Sequence, residues 1–322
     1  MATLAATLVG CIVVAAGFFG DTVPFFDTLG QFRAHAAVLL ALCGLVLVFA
    51  RLALPGLVAI ALATFAALSV APFYLPSHTA RPAPLGAPRF TLLQMNLMWN
   101  APEPEAAIRL IGALSPDVVT LEEATGQWPR LLDQIAARYP YRFACKDPHG
   151  NFDATILSRR PFVADEPGRC GRFGRFAARK VEFGGEAVTV AAVHMRWPWP
   201  GGQWTHLAQL QDSLRTFAGP TIVAGDFNGT PWSAELHRVA ALTHTQIVPH
   251  IGPTWLVQPL TAFLAPYAGL PIDNVLVSHD VDVLDVERQP ATSSDHLPLL
   301  VTFALPAPEP TVQPTARVVW RQ

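Results

Sequence analysis

The sequence predicts three transmembrane helices followed by a domain of the α/β class. Hydrophobic residues fill 51% of the 322 positions and charged residues only 14%, whereas about a quarter is charged in a typical soluble protein. The apolar excess lies in the first 75 residues, and the rest of the chain alternates short β-rich runs with helix-like patterns. A membrane anchor followed by a globular domain accounts for both features.

The anchor is predicted from three apolar segments, at 1–20, 34–50 and 52–75. Each is close to the roughly 20 residues that cross a bilayer as a helix. The first segment alone would also suit a cleaved signal peptide, but it lacks the basic start of such a peptide and two more segments follow closely. We therefore expect a three-span anchor over 1–75, with a loop between the first two spans that contains Asp27.

The side of the membrane is indicated only indirectly. Arg51 between two spans favours a cytoplasmic N-terminus, whereas Arg81 after the last span favours the opposite. Cys145 and Cys170 are the only cysteines beyond the anchor, and they are either a disulfide or two unrelated buried thiols. We expect the disulfide, which requires an oxidising compartment and therefore an extracytoplasmic domain.

The remaining chain divides into three parts. A Pro-rich segment at 76–88 suits a semi-rigid linker, 89–304 is long enough for one globular domain, and the Pro-rich 305–322 is predicted to be a disordered tail. Strands are predicted at the runs FTLLQM, DVVTL, ATILS, AVTVAAV, TIVAG, NVLVS and LPLLVTF. Amphipathic helices are predicted at 103–114, 127–138 and 203–217. Apolar strands separated by helices indicate sheets whose outer faces are covered by helices.

Polar residues gather at the ends of these strands: Asn96, Glu122, Glu123, His194, Asp226, Asn228, Asp273, Asn274, Asp295 and His296. Asp226 and Asn228 are two positions apart, so in an extended segment both side chains face one side while Phe227 turns to the core. A carboxylate can accept a proton from water, and an amide can donate to a phosphate oxygen. The alternative is an Asx turn that only ends the strand.

The chemistry of this set favours a hard metal ion and phosphate. Carboxylates such as Glu123 and Asp295 suit Mg²⁺ or Mn²⁺, and His194 and His296 could contact a phosphoryl oxygen. Each residue also has a structural alternative, such as a helix start for the two glutamates or a turn cap for Asp273. The chain lacks a Walker loop and, at a net charge of −2, the basic blocks of a typical nucleic-acid-binding protein.

The motifs QMNLM, LEEA, ILSRRPF, VHM, GDFN, IDNVLVS and SDHLP resemble, in this order, those of the endonuclease/exonuclease/phosphatase superfamily. The resemblance spans about 90–303 and extends to a membrane-anchored bacterial branch. It implies a DNase I-like, two-sheet α/β sandwich with its site at one rim, and a divalent-metal-dependent phosphoesterase. It implies a multi-pass protein of the bacterial inner membrane, and it indicates no protein partner.

The resemblance also implies a role for each matching residue. Metal binding falls to Glu123, Asn96 and Asp295. Catalysis falls to five others: Asp226 activates water, Asn228 stabilises the transition state, His194 and His296 contact phosphate, and Asp273 orients His296. Glu122 stands where the family usually has Gln, so either glutamate could bind metal, and position favours Glu123. Asn274 stands where an aromatic residue is common, and we expect this to affect the substrate wall.

The substrate is indicated by the segment MRWPWPGGQW, which follows His194. Arg196 with Trp197, Trp199 and Trp204 could form a wall for a lipid or sugar face, or the loop could simply pack on its own aromatics. The anchor favours a membrane-associated phosphoester or a lipid-linked pyrophosphate. The alternatives are a DNase I-like nuclease, with nucleic acid as a possible but less favoured partner, and an inactive membrane-anchored binding protein.

Overall fold

The computed structural model describes residues 1–75, 87–257 and 268–305. The predicted linker at 76–88 lies outside the described residues except for its last two positions. The predicted tail lies outside them except for Leu305.

The N-terminal segment forms four helices: α1 (Ala2–Ala16), which continues into a 3₁₀ turn (Gly17–Phe19), α2 (Pro24–Gln31), α3 (Arg33–Phe49) and α4 (Ala53–Tyr74). Two stretches, Ala2–Phe19 and Ala53–Tyr74, are long and apolar enough to cross a membrane. A third candidate span exists if α2 and α3, which meet at a bend of 69°, are counted as one. The segment expected to be a loop between the first two spans therefore contains a helix, α2, which begins at Pro24, a residue suited to a first turn.

The strands of the first sheet are β1 (Arg89–Asn96), β2 (Val118–Glu122), β3 (Tyr141–Lys146), β4 (Phe152–Ser158), β11 (Asp282–Arg288) and β12 (Leu299–Ala304). Those of the second are β5 (Arg169–Cys170), β6 (Phe176–Phe183), β7 (Glu186–His194), β8 (Thr221–Asp226), β9 (Gln246–Ile247) and β10 (Asp273–Val277). Their orders are β11-β12-β1-β2-β4-β3 and β5-β6-β7-β8-β10-β9. Apolar side chains such as Leu92, Val190 and Val301 pack between the sheets as one core. The predicted two-sheet α/β sandwich is confirmed.

Each sheet has one parallel pair at its centre, and the two pairs place the motif residues. β1 and β2 are parallel with Asn96 beside Glu122, and β7 and β8 are parallel with His194 beside Asp226. The antiparallel β10 begins at Asp273, which lies opposite Asp226. Polar strand ends from both sheets therefore meet at one rim of the sandwich.

Helices cover the outer faces of both sheets. α5 (Glu105–Leu114) and α6 (Trp128–Asp133) pack on the first sheet, and α7 (Gln203–Leu214) and α8 (Ala234–Thr243) pack on the second. The helix expected at 127–138 is shorter than predicted. After Asp133 the backbone amides bond to the carbonyl three positions back, so the α-helix gives way to tighter turns.

Cys145 and Cys170 are joined in a disulfide, with their Cα atoms 5.4 Å apart. Cys145 lies on β3 of the first sheet and Cys170 on β5 of the second, so the bond links the sheets at one edge. The expected pairing is confirmed. The compartment that it suggests stays a prediction.

Candidate active site

The site lies where the two parallel strand pairs end, and two amide side chains connect the sheets there. Asn96 Nδ2 donates to Asp226 Oδ2 at 3.0 Å. Gln94 Nε2 donates to Glu122 Oε2 and to Asp273 Oδ1, both at 2.9 Å. Sequence reasoning did not select Gln94, which is fully buried. Its position inside the apolar run FTLLQM was the available signal, because an amide in a buried strand needs hydrogen-bond partners.

The turn after β8 shapes the loop at 227–233, which leads to α8 and is called the catalytic loop below. Asn228 N donates to Asp226 Oδ1 at 2.8 Å, which is the Asx turn considered as an alternative to a site. Asn228 adopts a left-handed φ of 48°, and its Nδ2 donates to Met195 O at 2.9 Å. A Cβ at Gly225 would lie 1.9 Å from Val193 O, so only glycine lets β7 and β8 approach this closely. The turn and the site are therefore one structure, with Phe227 buried in the core as expected.

Asp226 lies at the centre of the site and is 2% exposed. Burial raises its pKa above the ordinary value and the Asp273 carboxylate acts in the same direction, whereas His296 and His194 act against them. A carboxylate of raised pKa is a better proton acceptor near neutral pH than an ordinary one. Asp226 is therefore placed and tuned to act as a general base.

His296 is held by Asp273, whose Oδ2 lies 2.7 Å from His296 Nδ1. Its Nε2 faces Asp226 Oδ2 at 3.9 Å and Asp295 Oδ1 at 4.0 Å. Burial alone would lower the pKa of His296, but the carboxylates of Asp273 and Asp226 outweigh it and raise the pKa to about 10. His296 is therefore an imidazolium at neutral pH and can donate from Nε2.

His194 is held in the same way by Asp153, whose Oδ1 lies 2.8 Å from His194 Nδ1. Burial would lower the pKa of His194, and Asp153 outweighs it and raises the pKa. The Nε2 atom of His194 lies 3.7 Å from Asp226 Oδ2 and 3.4 Å from Arg175 Nη1. Sequence reasoning missed both Asp153 and Arg175. Asp153 immediately precedes the predicted strand ATILS. The observed strand β4 begins at Phe152 and therefore includes Asp153.

The two adjacent glutamates have different environments. Glu122 is fully buried with Gln94 as its partner, and burial raises its pKa well above the ordinary value, which favours the neutral form. Glu123 is half-buried, and it accepts from Trp99 N at 2.9 Å and from Asn96 Nδ2 at 3.4 Å. Glu123 is thus the glutamate that lies beside Asn96 and faces the site.

The tightest group of metal-type ligands in the described part of the chain is Asp226, Asp273 and His296, whose ligand atoms lie within 4.8 Å of one another. Asp273 and His296 are already hydrogen-bonded to each other. We therefore regard this group as a base, Asp226, beside an acid, His296, that Asp273 orients. The predicted ligands are more widely placed. Asn96 contacts Glu123, whereas Asp295 is 34% exposed and lies beside His296.

The charge of the rim fits a divalent cation. Besides Glu122, five carboxyl groups surround the site: Glu123, Asp153, Asp226, Asp273 and Asp295. Three basic groups face them: Arg175, His194 and His296. Acidic groups therefore outnumber basic ones at the rim, and oxygen donors of this kind are those that Mg²⁺ and Mn²⁺ prefer.

Comparison with known proteins decides the family. Residues 93–296, more than half of the chain, match the Endonuclease/Exonuclease/phosphatase family. The chain belongs to this family. A UPF0294 protein of Vibrio vulnificus (strain YJ016) is 34% identical over 123 residues, which cover 37% of this chain and 39% of that protein. The match therefore spans well under two thirds of the curated relative's length.

Solved structures of this family share the fold. D. rerio TDP2 complexed with single strand DNA product has a TM-score of 0.54 and 20% identity, covering 67% of this chain and 98% of that one. Sphingomyelinase C from Streptomyces griseocarneus has a TM-score of 0.50 and 18% identity, covering 67% and 99%. A beta toxin from Staphylococcus aureus with bound magnesium ions has a TM-score of 0.51 and 17% identity, covering 66% and 99%. Identities this low show a common fold alone.

Asn274, which replaces the aromatic residue common in the family, is buried and does not form a substrate wall. Its Nδ2 donates to Gly229 O at 2.9 Å and to Pro271 O at 3.3 Å. What the missing aromatic residue does to the substrate wall stays a prediction. An amide reaches two carbonyl groups that an aromatic ring could not satisfy, so Asn274 ties β10 to the catalytic loop.

The loop after His194 projects from the rim. Trp197 and Trp199 are 61% and 54% exposed. Trp197 meets the edge of Trp255 at 6.4 Å between ring centroids, and Trp199 meets Phe25 of α2 at 5.0 Å. The loop therefore packs on Trp255 and on the N-terminal helices. Arg196 is exposed and lies over the Phe173 ring.

Proposed function

We propose that this family member hydrolyses a membrane-associated phosphoester, by in-line attack of a water molecule and with a divalent metal ion. The family and the charge of the rim support the chemistry. One observation carries the membrane part: the rim that bears the site is also the rim that contacts the N-terminal helices. The loop after His194 reaches Phe25, and the loop after Asp226 reaches Gln31.

Each residue at the rim has a task that its contacts allow. Asp226 accepts the proton of the attacking water. His296, an imidazolium at neutral pH, donates from Nε2 to a phosphoryl oxygen and can protonate the leaving oxygen, and His194 contacts a second phosphoryl oxygen through Nε2. Asn228 Nδ2 uses one hydrogen for Met195 O and has a long 3.4 Å contact with Asp226 Oδ2 for the other, which is available to the developing charge. Asp273 holds His296 in register.

Glu123, Asn96 and Asp295 would hold Mg²⁺ or Mn²⁺. The cation supplies charge neutralisation and polarises the phosphoryl group. Magnesium is supported by the S. aureus beta toxin structure, which has bound magnesium ions.

A diphosphate on a lipid carrier suits the cationic side of the rim, which consists of Arg172, Arg175 and Arg196. Arg172 and Arg196 both lie over the Phe173 ring, and Arg175 lies beside His194. Within the described residues, no carboxylate pairs with Arg172 or Arg196. Guanidinium groups bind phosphate oxygens well, and two are thus left to bind a second phosphoryl group while Trp197 and Trp199 contact the apolar part.

We place the anchor at 1–75 in the bacterial inner membrane and the catalytic domain at 89–304 on its outer side. The disulfide between Cys145 and Cys170 supports this side, because disulfides persist in oxidising compartments. The two or three apolar helices support the anchor.

The test uses the full chain in lipid nanodiscs with Mg²⁺ or Mn²⁺, assayed against a lipid diphosphate, a phospholipid and plasmid DNA. We expect metal-dependent release of phosphate or headgroup that Asp226→Asn abolishes. Asp285→Asn, an exposed change at the sheet edge, is the matched control and should have no effect. DNA nicking lost in Asp226→Asn would instead show a nuclease. A folded protein inactive in every arm would show a binding protein.

The cationic side is tested in the same assay. Arg196→Ala should raise the KM for the lipid diphosphate more than that for a lipid monophosphate. Arg215→Ala, an exposed arginine after α7, is the control and should change neither. An equal change for both substrates would remove the diphosphate assignment.

A further inference from the structure

The short helix α2 (Pro24–Gln31) lies between two candidate spans, and three of its residues are almost fully buried: Asp27, Gly30 and Gln31. Asp27 is 2% exposed and Gln31 is 3% exposed. A carboxylate and an amide are buried only where they find hydrogen-bond partners. Each of the three residues has a partner in the catalytic domain, on the segment that follows Asp226 and Asn228.

The first contacts hold the catalytic loop. Gln31 Oε1 accepts from Thr230 N at 2.7 Å, two residues after Asn228. Gly30 O accepts from Trp232 Nε1 at 2.7 Å. The Trp232 ring also stacks on Tyr74 at the end of α4, with ring centroids 5.7 Å apart. The loop is thus bound by two separate helices of the N-terminal segment.

Asp27 completes the attachment at the start of α8. Its Oδ1 accepts from Ala234 N at 2.7 Å and its Oδ2 from Glu235 N at 3.2 Å. The Ser233 side chain caps only the next amide, that of Leu236. The first amides of a helix have no partner within the helix, so the carboxylate from α2 supplies what the sequence of α8 does not.

These contacts bear on catalysis because of where the loop begins. Asn228 is held on one side by its own contacts to Asp226 and Met195, and only one residue separates it from Thr230, whose amide bonds to Gln31. Without that second restraint the chain after Asn228 can shift, and the Asn228 amide loses its fixed position relative to the phosphoryl group. Misplacement of about 1 Å can cost about a hundredfold in rate.

We infer that Gln31 and Asp27 are positioning residues for the reaction: the N-terminal segment completes the catalytic centre by fixing the loop of Asn228. This inference rests on the proposed function. It makes the helices part of the working enzyme in addition to anchoring it.

The experiment removes one acceptor in the full chain in nanodiscs. Gln31→Met keeps the length of the side chain and removes Oε1. Gln31→Glu keeps an oxygen at the same reach, and since Gln31 Nε2 has no partner within the described residues, the lost donor should matter little. Thr28→Ala is the matched control on the same helix, because Thr28 bonds only to Pro24 O. If Gln31→Met does not fold, Trp232→Phe removes the bond to Gly30 O and keeps a stacked ring.

Two measurements are made on each variant, hydrogen exchange of the peptide spanning 227–236 and steady-state kinetics. For Gln31→Met we expect faster exchange in that peptide alone. We also expect a fall in kcat of between about tenfold and about a hundredfold with KM within about twofold. Gln31→Glu should restore both measurements, and Thr28→Ala should change neither.

The inference is overturned if exchange at 227–236 is unchanged in Gln31→Met, or if exchange rises across the whole domain, which would indicate loss of general stability. Exchange does not require activity. If the wild type proves inactive on every phosphoester, the proposed function fails, and the exchange result still decides whether α2 orders the loop.

Discussion

Asn96 Nδ2 donates to Asp226 Oδ2 at 3.0 Å, so the last side chain of β1 in one sheet holds the carboxylate at the end of β8 in the other. The same amide lies 3.4 Å from Glu123 Oε1. One side chain therefore aligns the proposed base with the proposed metal ligand, and the distance between them depends on how the two sheets pack.

Replacing the Asn96 amide should disturb both Asp226 and Glu123. We expect Asn96→Leu, which has a similar shape and no donor, to lower kcat by about a hundredfold, because Asp226 loses a hydrogen bond that orients it. Steady-state kinetics on the full chain checks this. Asn100→Leu, four residues on and exposed, serves as the control, and a kcat for Asn96→Leu equal to that of the control would contradict the role.

The Asp153 carboxylate should set the pH range over which His194 is charged. It raises the pKa of His194, so Asp153→Asn should lower that pKa. A histidine that works as an imidazolium loses activity as pH rises through its pKa. The alkaline limb of the profile of kcat/KM against pH should therefore move to lower pH in the variant. Asp147→Asn, on an exposed turn, should leave the profile unmoved, and an unmoved limb in Asp153→Asn would show that His194 does not act in the charged form.

The two neighbouring glutamates should respond differently to loss of charge. Glu123→Gln should raise the Mg²⁺ concentration for half-maximal activity by about tenfold or more, because Glu123 faces the site. Glu122→Gln should leave that concentration unchanged, since Glu122 is fully buried, bonds to Gln94 and has a raised pKa that favours the neutral form. Titration of Mg²⁺ after treatment with a chelator measures both. If both variants raise the Mg²⁺ concentration for half-maximal activity equally, Glu123 is not the specific metal ligand of the pair.

A buried carboxyl group outside the site should make stability depend on pH. Glu235 is fully buried, neither carboxyl oxygen has a partner within the described part of the chain, and burial raises its pKa well above the ordinary value of 4.5. The folded state keeps the proton that the unfolded state releases, so the free energy of unfolding falls as pH rises above 4.5. The slope from one such group is about 1.4 kcal/mol per pH unit, up to the folded pKa.

Glu235→Gln removes this titration, so we expect the variant to gain in Tm relative to the wild type between pH 5 and pH 8. Thermal unfolding across this range measures it, with Glu105→Gln at an exposed position of α5 as the control. If the difference in Tm between the variant and the wild type is the same at both pH values, Glu235 is ionised in the folded state.

Much of the fold and site could be predicted because their signals are local. Asp226 and Asn228 stand at the end of an apolar run, where the pattern changes from strand to turn, and the order of such ends along the chain indicates the family. Asp153 and Arg175 were missed because each is a single polar residue at the start of a strand: Asp153 is the second residue of β4, and Arg175 immediately precedes β6. Nothing in its immediate neighbourhood shows that it will meet His194.

The sequence by itself determined which residues end the strands, the α/β sandwich, the apolar helices and the oxygen-rich chemistry of the rim. Only the tertiary structure decided which of these residues touch. It placed Glu123 beside Asn96 and Glu122 beside Gln94, and it brought Gln31 to Thr230 across 199 positions. The physical reason is that periodicity reports which face of an element is buried, whereas a hydrogen bond between distant elements depends on how those faces pack.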